Sequence, residues 1–154
     1  VVHDETTRFM GGVAGHAGMF TTASDLAKFA RMILAKGGSV FSPLTIASAT
    51  RPQSPSGASA LRGLGWDIDT PFSSPRGDLF PIGSFGHTGF TGTSLWIDPS
   101  TESYVIVLGN HVHPFRRPPI SALRSKVASV AAAHISRLIA GQTSAVLSGR
   151  TLTG

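Results

Sequence analysis

Apolar residues recur at the three- and four-residue spacing of an amphipathic helix in two stretches of the chain. The first stretch predicts a helix over residues 23 to 36, with Thr22 as its N-cap and Gly37 at its end. The second predicts a long C-terminal helix whose apolar stripe packs against a sheet face. In this second stripe we expect His134 to be a partly buried core histidine and not a catalytic one. The stripes consist of Leu26, Phe29, Ala30 and Ile33 in the first helix, and of Ile120, Leu123, Val127, Val130, Ala131, His134 and Leu138 in the second.

Alternating apolar residues predict strands in the middle of the chain. Leu64, Trp66 and Ile68 alternate with polar or glycine residues, which is typical of a strand with one buried face. Two β-rich runs, over residues 93 to 97 and 104 to 108, flank an Asp-Pro-Ser-Thr turn. They predict an antiparallel hairpin, because proline presets φ while aspartate and serine close the turn.

The remaining segments carry little periodicity. Ser42 followed by a proline predicts a short helix over residues 43 to 50. From Gly141 onward the sequence is typical of a frayed tail. Three segments rich in glycine, proline or small polar residues predict loops, over residues 1 to 20, 52 to 60 and 72 to 81.

Together these elements predict an α+β fold in three parts. Residues 1 to 60 would form a loop and a segment of a helical subdomain. Residues 61 to 140 would form an antiparallel sheet packed by the long C-terminal helix, and residues 141 to 154 a flexible tail. A chain of 154 residues is long enough to bury a real core.

The composition excludes several classes of function. The chain has no cysteine, which excludes disulfides, thiolate metal ligands and a cysteine nucleophile. Its net charge of +5 comes from dispersed basic residues, with Arg116 and Arg117 as the only adjacent pair, so we expect no nucleic-acid partner. No run approaches the ~20 apolar residues of a membrane span, and the N-terminus lacks a signal-peptide pattern. The chain begins with Val1, as either a processed chain or a fragment would.

His3, Asp4, Glu5 and His16 are the most obvious candidate metal ligands. No helical or hairpin spacing brings these four side chains together, so we interpret them as residues of a surface loop. We therefore expect neither a metal nor an organic cofactor.

A glycine-rich stretch before the predicted hairpin is the best candidate for chemistry. Residues 81 to 92 place four glycines and a histidine where a strand is expected. β-structure disfavours glycine unless another group must approach the backbone closely. We therefore interpret this stretch as a sheet edge along which a ligand lies.

The glycine-rich stretch and its flanks resemble a known family. The strand reads Gly86-His87-Thr88-Gly89-Phe90, and two further strands and a closing helix follow it. Upstream, residues 11 to 29 are similar to the segment that enters a helix in that family. The resemblance is to the penicillin-recognising serine hydrolases, which include class C β-lactamases, DD-peptidases and related esterases. It covers the chain to about residue 140 and implies a partial β-lactamase/transpeptidase-like fold.

The resemblance implies roles for five residues. His87 and Thr88 would make polar contacts with the carboxylate or acyl portion of the substrate, and Gly89 would let the substrate lie against the strand. The backbone N–H of Phe90 would stabilise the oxyanion. Asn110, in the turn after the hairpin, would contact the substrate. Since His87 and Thr88 alternate across the strand, both reach one ligand only if the strand is an edge or is twisted, and a glycine-rich turn with an exposed histidine is the alternative.

Two catalytic elements of this family are missing from the 154 residues. No serine is followed by lysine three positions later, so the sequence has no Ser-x-x-Lys nucleophile. The only tyrosine, Tyr104, lies in a predicted strand and outside any Tyr-x-Asn triplet. We therefore expect a C-terminal fragment, inactive alone, of a serine hydrolase for β-lactams, D-Ala-D-Ala peptides or esters. The alternative is a non-catalytic binding or interaction module derived from the same fold.

The same resemblance sets expectations for partners and location. A fragment would present an unpaired strand edge and an exposed apolar face, so we expect it to associate with a missing N-terminal half or with a second copy. Its other partner would be a small acyl substrate. Where some relatives place an asparagine after Tyr-Pro, this chain has Phe115 after His113-Pro114, which favours an esterase-like or otherwise altered specificity. The resemblance alone favours a periplasmic or secreted location.

Overall fold

A computed structural model describes residues 2–135 of the chain. Within that range the main chain forms a five-stranded sheet, four α-helices and one 3-10 helix, Ser74–Arg76. The α-helices are α1 (Glu5–Phe9), α2 (Ala23–Leu34), α3 (Pro43–Thr50) and α4 (Ser121–Ala133). The strands are β1 (Leu61–Arg62), β2 (Asp67–Asp69), β3 (Phe85–Thr88), β4 (Ser94–Asp98) and β5 (Ser103–Val107).

The sheet is antiparallel throughout, and its strands lie side by side in chain order. β4 pairs along its length with β3 on one side and with β5 on the other. β2 meets β3 at a single pair, Asp67 with Gly86. Beyond Gly86, therefore, β3 has no strand partner on its β2 side within the described residues. The predicted α+β fold is confirmed.

The predicted hairpin of β4 and β5 is also confirmed, and Asp98 explains how its turn closes. This carboxylate is buried and accepts hydrogen bonds from the backbone N–H of Ser100 at 3.1 Å and from the hydroxyls of Ser100 and Thr101 at 2.7 and 2.6 Å. A buried carboxylate needs such partners to offset its lost hydration. The turn thus replaces water around Asp98 with its own donors.

The first face of the sheet is covered by α2, as its stripe predicts. Thr22 caps this helix by accepting a hydrogen bond from the backbone N–H of Asp25 at 3.2 Å. Ala30 and Ile33 of the helix are buried, and the helix ends within two residues of the predicted boundary. The core on this face consists of Ala30, Ile33, Ile46, Ile68, Phe85 and Ile97.

The opposite face is covered by α4, and here the predicted packing stripe is wrong. This helix buries Arg124 and Ala128, and Ala128 packs with Phe80 and Trp96 of the core. The predicted stripe residues Leu123, Val127 and Val130 are exposed.

The close approach of the 3-10 helix explains the face that α4 buries. A Cβ added at Gly77, which ends the 3-10 helix, would lie 2.7 Å from the Ser129 hydroxyl. Only small side chains leave room for two backbones at this spacing. His134 lies just after the end of α4 and is exposed, with Nδ1 donating to Val130 O at 2.8 Å. The prediction of a partly buried core histidine is therefore also wrong.

Three loop and strand predictions need correction. The segment over residues 1 to 20 contains α1, because Asp4 accepts a hydrogen bond from the backbone N–H of Thr7 at 2.7 Å and caps the helix. The strand predicted through Leu64 begins only at β2, because the chain turns at Gly65 with a φ of 78°. The segment over residues 72 to 81 contains the 3-10 helix.

Two predictions lie outside the described residues, namely the stripe position Leu138 and the tail from Gly141. The division of the chain at residues 60 and 140 stays a prediction. None of the helices described between residues 2 and 135 is long and apolar enough to cross a membrane.

Candidate functional site

The sequence-predicted site residues lie at one end of the sheet. β3 ends at Thr88, β4 begins at Ser94 and β5 ends at Val107, and these three residues are paired across the sheet. The chain therefore leaves β3 and β5 at the same end. The backbone N–H of His111 donates to Thr91 O at 2.8 Å and joins the two segments that follow these strands.

Residues 89 to 92 form a tight turn between β3 and β4. The N–H of Gly92 donates to Gly89 O at 3.0 Å, and the N–H of Gly89 donates to Thr93 O at 2.8 Å. Gly92 has a φ of 117°, which side chains rarely tolerate, and a Cβ at Gly89 would overlap the Thr93 hydroxyl. Glycine at both ends thus allows the turn to close.

Phe90 is the second residue of this turn. Its backbone N–H has no hydrogen-bond acceptor among residues 2–135. Its side chain is 58% exposed, and its ring centre lies 6.2 Å from that of His3 and 6.5 Å from that of His111. The Arg116 guanidinium lies 5.7 Å from the same ring centre. Phe90 thus combines a free backbone N–H with a ring that is flanked by basic side chains.

His87 and Thr88 occupy the part of β3 that lacks a β2 partner. Because Phe85 packs in the core on the α2 side, alternation places His87 on the α2 side and Thr88 on the α4 side. Nδ1 of His87 lies 2.8 Å from Thr88 O and must carry a proton, since a carbonyl oxygen only accepts. The exposed ring therefore presents Nε2 to a ligand.

Gly86 has a different explanation from the one its sequence suggests. A Cβ at this position would overlap the Trp96 ring and the carbonyl oxygen of Leu95. Trp96 is buried against the strand, with Nε1–H donating to the Ser84 hydroxyl at 2.9 Å. The group that approaches the backbone of Gly86 is a core tryptophan, so this glycine is explained without a ligand, and its part in a ligand edge stays a prediction.

Asn110 lies in the segment after β5 and is exposed. Its Oδ1 accepts hydrogen bonds from the backbone N–H groups of Val112 and His113, both at 3.0 Å. This is the arrangement of an Asx turn, in which the side chain shapes the backbone. The side-chain oxygen is therefore occupied, and the side-chain NH2 is the group left for a ligand.

Arg124 is a site residue that the sequence did not reveal. It is only 6% exposed, and its Nη1 donates to Thr93 O at 2.7 Å while its Nη2 donates to the Ser121 hydroxyl at 3.0 Å. Among the described residues no carboxylate forms an ion pair with it. Burial lowers the pKa of Arg124. The small residues that recur with it at helical spacing, such as Ser121 and Ala128, were the signal that this face packs closely.

His111 is the second residue that sequence reasoning missed. It is buried, with Nε2 3.0 Å from Phe90 O and Nδ1 3.1 Å from Arg117 O. Both partners are carbonyl oxygens, so a ring nitrogen that carries a proton donates to the carbonyl oxygen that it faces. No spacing in the sequence signals this contact, because it joins two loops.

The four candidate metal ligands near the N-terminus do not converge. Asp4 and His16 approach to 3.7 Å, and no group of three possible ligand side chains forms within residues 2–135. The pKa of Asp4 is lowered chiefly by the hydrogen bond from the backbone N–H of Thr7. Asp4 thus acts as the N-cap of α1.

The sequence matches a protein-family model described as Beta-lactamase over residues 1–128. Similar curated proteins include those named "Putative D-alanyl-D-alanine carboxypeptidase" from Salmonella gallinarum and Salmonella newport. Each is 38% identical over 128 residues, a match that covers 78% of this chain and 29% of the relative. The chain therefore spans less than a third of the length of these relatives.

Among solved structures, the crystal structure of a beta-lactamase from Mycobacterium bovis is similar to this fold. The two share a TM-score of 0.62 and 26% sequence identity. The match covers 76% of this chain and 45% of the other.

Proposed function

The chain belongs to the beta-lactamase family, and from this premise we propose that it supplies the substrate strand and one oxyanion donor of a serine hydrolase. The acyl substrate lies along the open part of β3, in contact with His87 and Thr88. Its reacting carbonyl oxygen accepts a hydrogen bond from the backbone N–H of Phe90. Residues outside these 154 contribute the nucleophilic serine and its base, since the sequence contains no Ser-x-x-Lys.

One observation carries this proposal, namely the unused N–H of Phe90. The N–H groups of Gly89 and Gly92 are both bonded within the turn, whereas those of Phe90 and Thr91 have no acceptor among the described residues, and of these two the N–H of Phe90 directly follows the His-Thr-Gly strand. A donor held in place before the reaction needs no reorganisation when negative charge develops on the substrate oxygen. Such a donor contributes about 3 kcal/mol to transition-state stabilisation.

The charge of Arg116 favours a substrate with a carboxylate close to the reacting carbonyl. The Arg116 guanidinium lies against the Phe90 ring, and His3 and His111 flank the same ring. A guanidinium binds a carboxylate through paired hydrogen bonds. Arg116 thus compensates for Phe115, which stands where some relatives have asparagine. We propose D-Ala-D-Ala peptides as the substrate class, in keeping with the name of the curated relatives, and rank β-lactams next and simple esters last.

The rest of the hydrolase has a natural place to join the sheet. β5 pairs with β4 alone among the described strands, so its outer edge is open to another strand. Tyr104 of β5 is not placed to supply the missing phenol, because it pairs with Ile97, away from the end of β4 that adjoins the turn, and its hydroxyl lies beside Arg31 Nη1 of α2 at 3.0 Å. The edge of β5 is thus a place for pairing and not for proton transfer.

The second candidate function is a non-catalytic module that binds the same ligands. The missing Ser-x-x-Lys favours it, because a ligand strand without a nucleophile still binds. Labelling of the protein, expressed from its own gene, with a fluorescent penicillin separates the two. A covalent adduct on a serine outside these 154 residues supports the hydrolase, whereas an intact mass near 16.0 kDa without labelling supports the module.

The binding proposal is tested by titrating the isotopically labelled chain with D-alanyl-D-alanine and following its backbone amide resonances. We expect saturable shifts at His87, Thr88, Gly89 and Phe90, with the largest proton shift at Phe90. The matched ligand is L-alanyl-L-alanine, which has the same charge and composition and should bind more weakly. Equal responses to the two dipeptides, or no response at Phe90, would overturn the proposal.

A further inference from the structure

The peptide group between Gly89 and Phe90 is held from its carbonyl side. Gly89 O accepts the hydrogen bond from the N–H of Gly92 at 3.0 Å and lies 3.5 Å from Arg124 Nη1. A peptide group is planar and trans, so its N–H points away from its C=O. The contacts that fix Gly89 O therefore also fix the direction of the Phe90 N–H.

Arg124 anchors the base of the same turn more strongly. Its Nη1 donates to Thr93 O at 2.7 Å, and that oxygen also accepts the N–H of Gly89 at 2.8 Å. Charged donors make shorter and stronger hydrogen bonds than neutral ones. The guanidinium thus clamps the two strands where they enter the turn.

Burying the charge of Arg124 is energetically unfavourable, unlike burying an apolar side chain of similar size. The side chain is 6% exposed, has no carboxylate partner among residues 2–135, and leaves its buried Nε without a hydrogen bond. A buried cation without a counter-charge is unfavourable unless carbonyl dipoles or other groups offset it. The acceptors that do so here are Thr93 O, Gly89 O and the Ser121 hydroxyl.

We propose that Arg124 is a positioning residue for the oxyanion donor. Its guanidinium, on the carbonyl side of the Gly89–Phe90 peptide, fixes the orientation of the Phe90 N–H and makes it a stronger donor, because hydrogen bonds in series polarise one another. His111 assists by holding Phe90 O, the carbonyl on the other side of the residue, at 3.0 Å from Nε2. The inference rests on the proposed function in taking the Phe90 N–H as the group that meets the substrate.

The test compares Arg124→Lys and Arg124→Met with Arg76→Met in the full 154-residue chain. Arg76 is the control, because it is half-buried and donates to a backbone carbonyl, Ile68 O at 3.0 Å, away from the turn, although unlike Arg124 it also pairs with a carboxylate, that of Asp69. Lysine keeps the charge but replaces the fork by one ammonium group. The Trp96 indole resonance reports whether each variant keeps its core.

We expect hydrogen exchange at the Gly89 and Gly92 amides to become about tenfold faster in Arg124→Met, because the carbonyl oxygens that accept these N–H groups lose their charge-assisted bond to the guanidinium. The increase should be smaller in Arg124→Lys, which keeps the charge. On titration with D-alanyl-D-alanine, the saturating shift of the Phe90 amide should fall by more than the shifts of His87 and Thr88. Arg76→Met should change neither. A purely structural arginine would alter exchange without altering the relative response of Phe90.

The outcomes separate this inference from the proposed function. If Phe90 of the unaltered chain does not respond to the dipeptide, the proposed function fails, and this inference fails with it. If Phe90 responds in the unaltered chain but the Arg124 variants keep its full relative response, only the inference is overturned. If Arg124→Met loses the Trp96 signal, the relative response of the Phe90 amide in Arg124→Lys decides instead. If Arg124→Lys also unfolds, Arg124 is a core residue and its positioning role is overturned.

Discussion

Two helices cover the opposite faces of one sheet, and they bury different kinds of side chain. α2 buries Ala30 and Ile33 in an apolar core, whereas α4 buries Arg124 and Ala128. α2 supports only the sheet. α4 also reaches the turn that carries the Phe90 N–H. The side chains on its inner face must therefore be small enough for close packing, and at least one must be polar enough to bind carbonyl oxygens. In this protein, therefore, an apolar stripe marks the buried face of the helix that packs on an apolar core, α2, and not that of the helix that contacts a turn, α4.

The largest effect that tests this contrast comes from shortening one residue of each predicted stripe. Ile33→Ala should lower the free energy of unfolding by about 2–4 kcal/mol, because it opens a cavity in the buried core. Leu123→Ala should change it by no more than about 0.5 kcal/mol, because Leu123 lies at an exposed position of α4. Urea unfolding followed by tryptophan fluorescence measures both. Equal losses in the two variants would mean that α4 packs through its apolar stripe after all.

A smaller effect tests how tightly the α4 side of the sheet is packed. Gly86→Ala should cost about 1–3 kcal/mol, because the new methyl group would overlap the Trp96 ring and the backbone of β4. Gly15→Ala is the control, since a Cβ at Gly15 meets nothing within 4 Å. Thermal unfolding of both variants provides the measurement. If Gly86→Ala retains full stability but loses dipeptide binding, then a ligand and not Trp96 requires the glycine.

The smallest effect concerns the starts of the two helices. The pKa of Asp25, in the first turn of α2, is lowered chiefly by its hydrogen bond with Lys28 and then by that with Thr22. Its folded pKa lies below the ordinary 3.8, so its contribution to stability is complete above that value and is lost as the pH falls through the lower, folded value. The start of α4 has neither an acidic first turn nor a side-chain cap.

Backbone amide shifts recorded during acid titration measure this difference. The N–H resonances of the first turn of α2 should titrate below pH 3.8, while those at the start of α4 should not follow them. Asp25→Asn should abolish the titration in α2 and leave the hydrogen bond to Thr22 possible. Titration of the first turn in Asp25→Asn would assign the effect to another group.

The sequence predicted those parts of the fold in which local pattern and packing agree. The stripe of α2, the proline-started α3 and the hairpin closed by Asp98 were all readable, because capping, periodicity and turn chemistry point to the same structure. The small α1 was not, because a single capping contact between Asp4 and Thr7 outweighs a composition typical of a loop.

The sequence predicted only those candidate site residues that follow one another along the chain. His87 to Phe90 form one run and carry a recognisable pattern, whereas Arg124 and His111 reach the turn from other elements. Their contacts depend on how α4 and the segment after β5 lie against the turn. Such an arrangement is a property of tertiary packing, and no spacing along the chain encodes it.

The central claim is that the backbone N–H of Phe90 meets the substrate, and removing that one N–H tests it most directly. Phe90 is the second residue of a β-turn, a position that accepts proline, and its N–H has no acceptor among residues 2–135. Phe90→Pro should therefore preserve the fold while weakening D-alanyl-D-alanine binding about fivefold. Phe90→Ala, which keeps the N–H, should bind as the unaltered chain does. Undiminished binding by Phe90→Pro, together with weakened binding by Phe90→Ala, would contradict the account, because the side chain and not the N–H would then be the substrate contact.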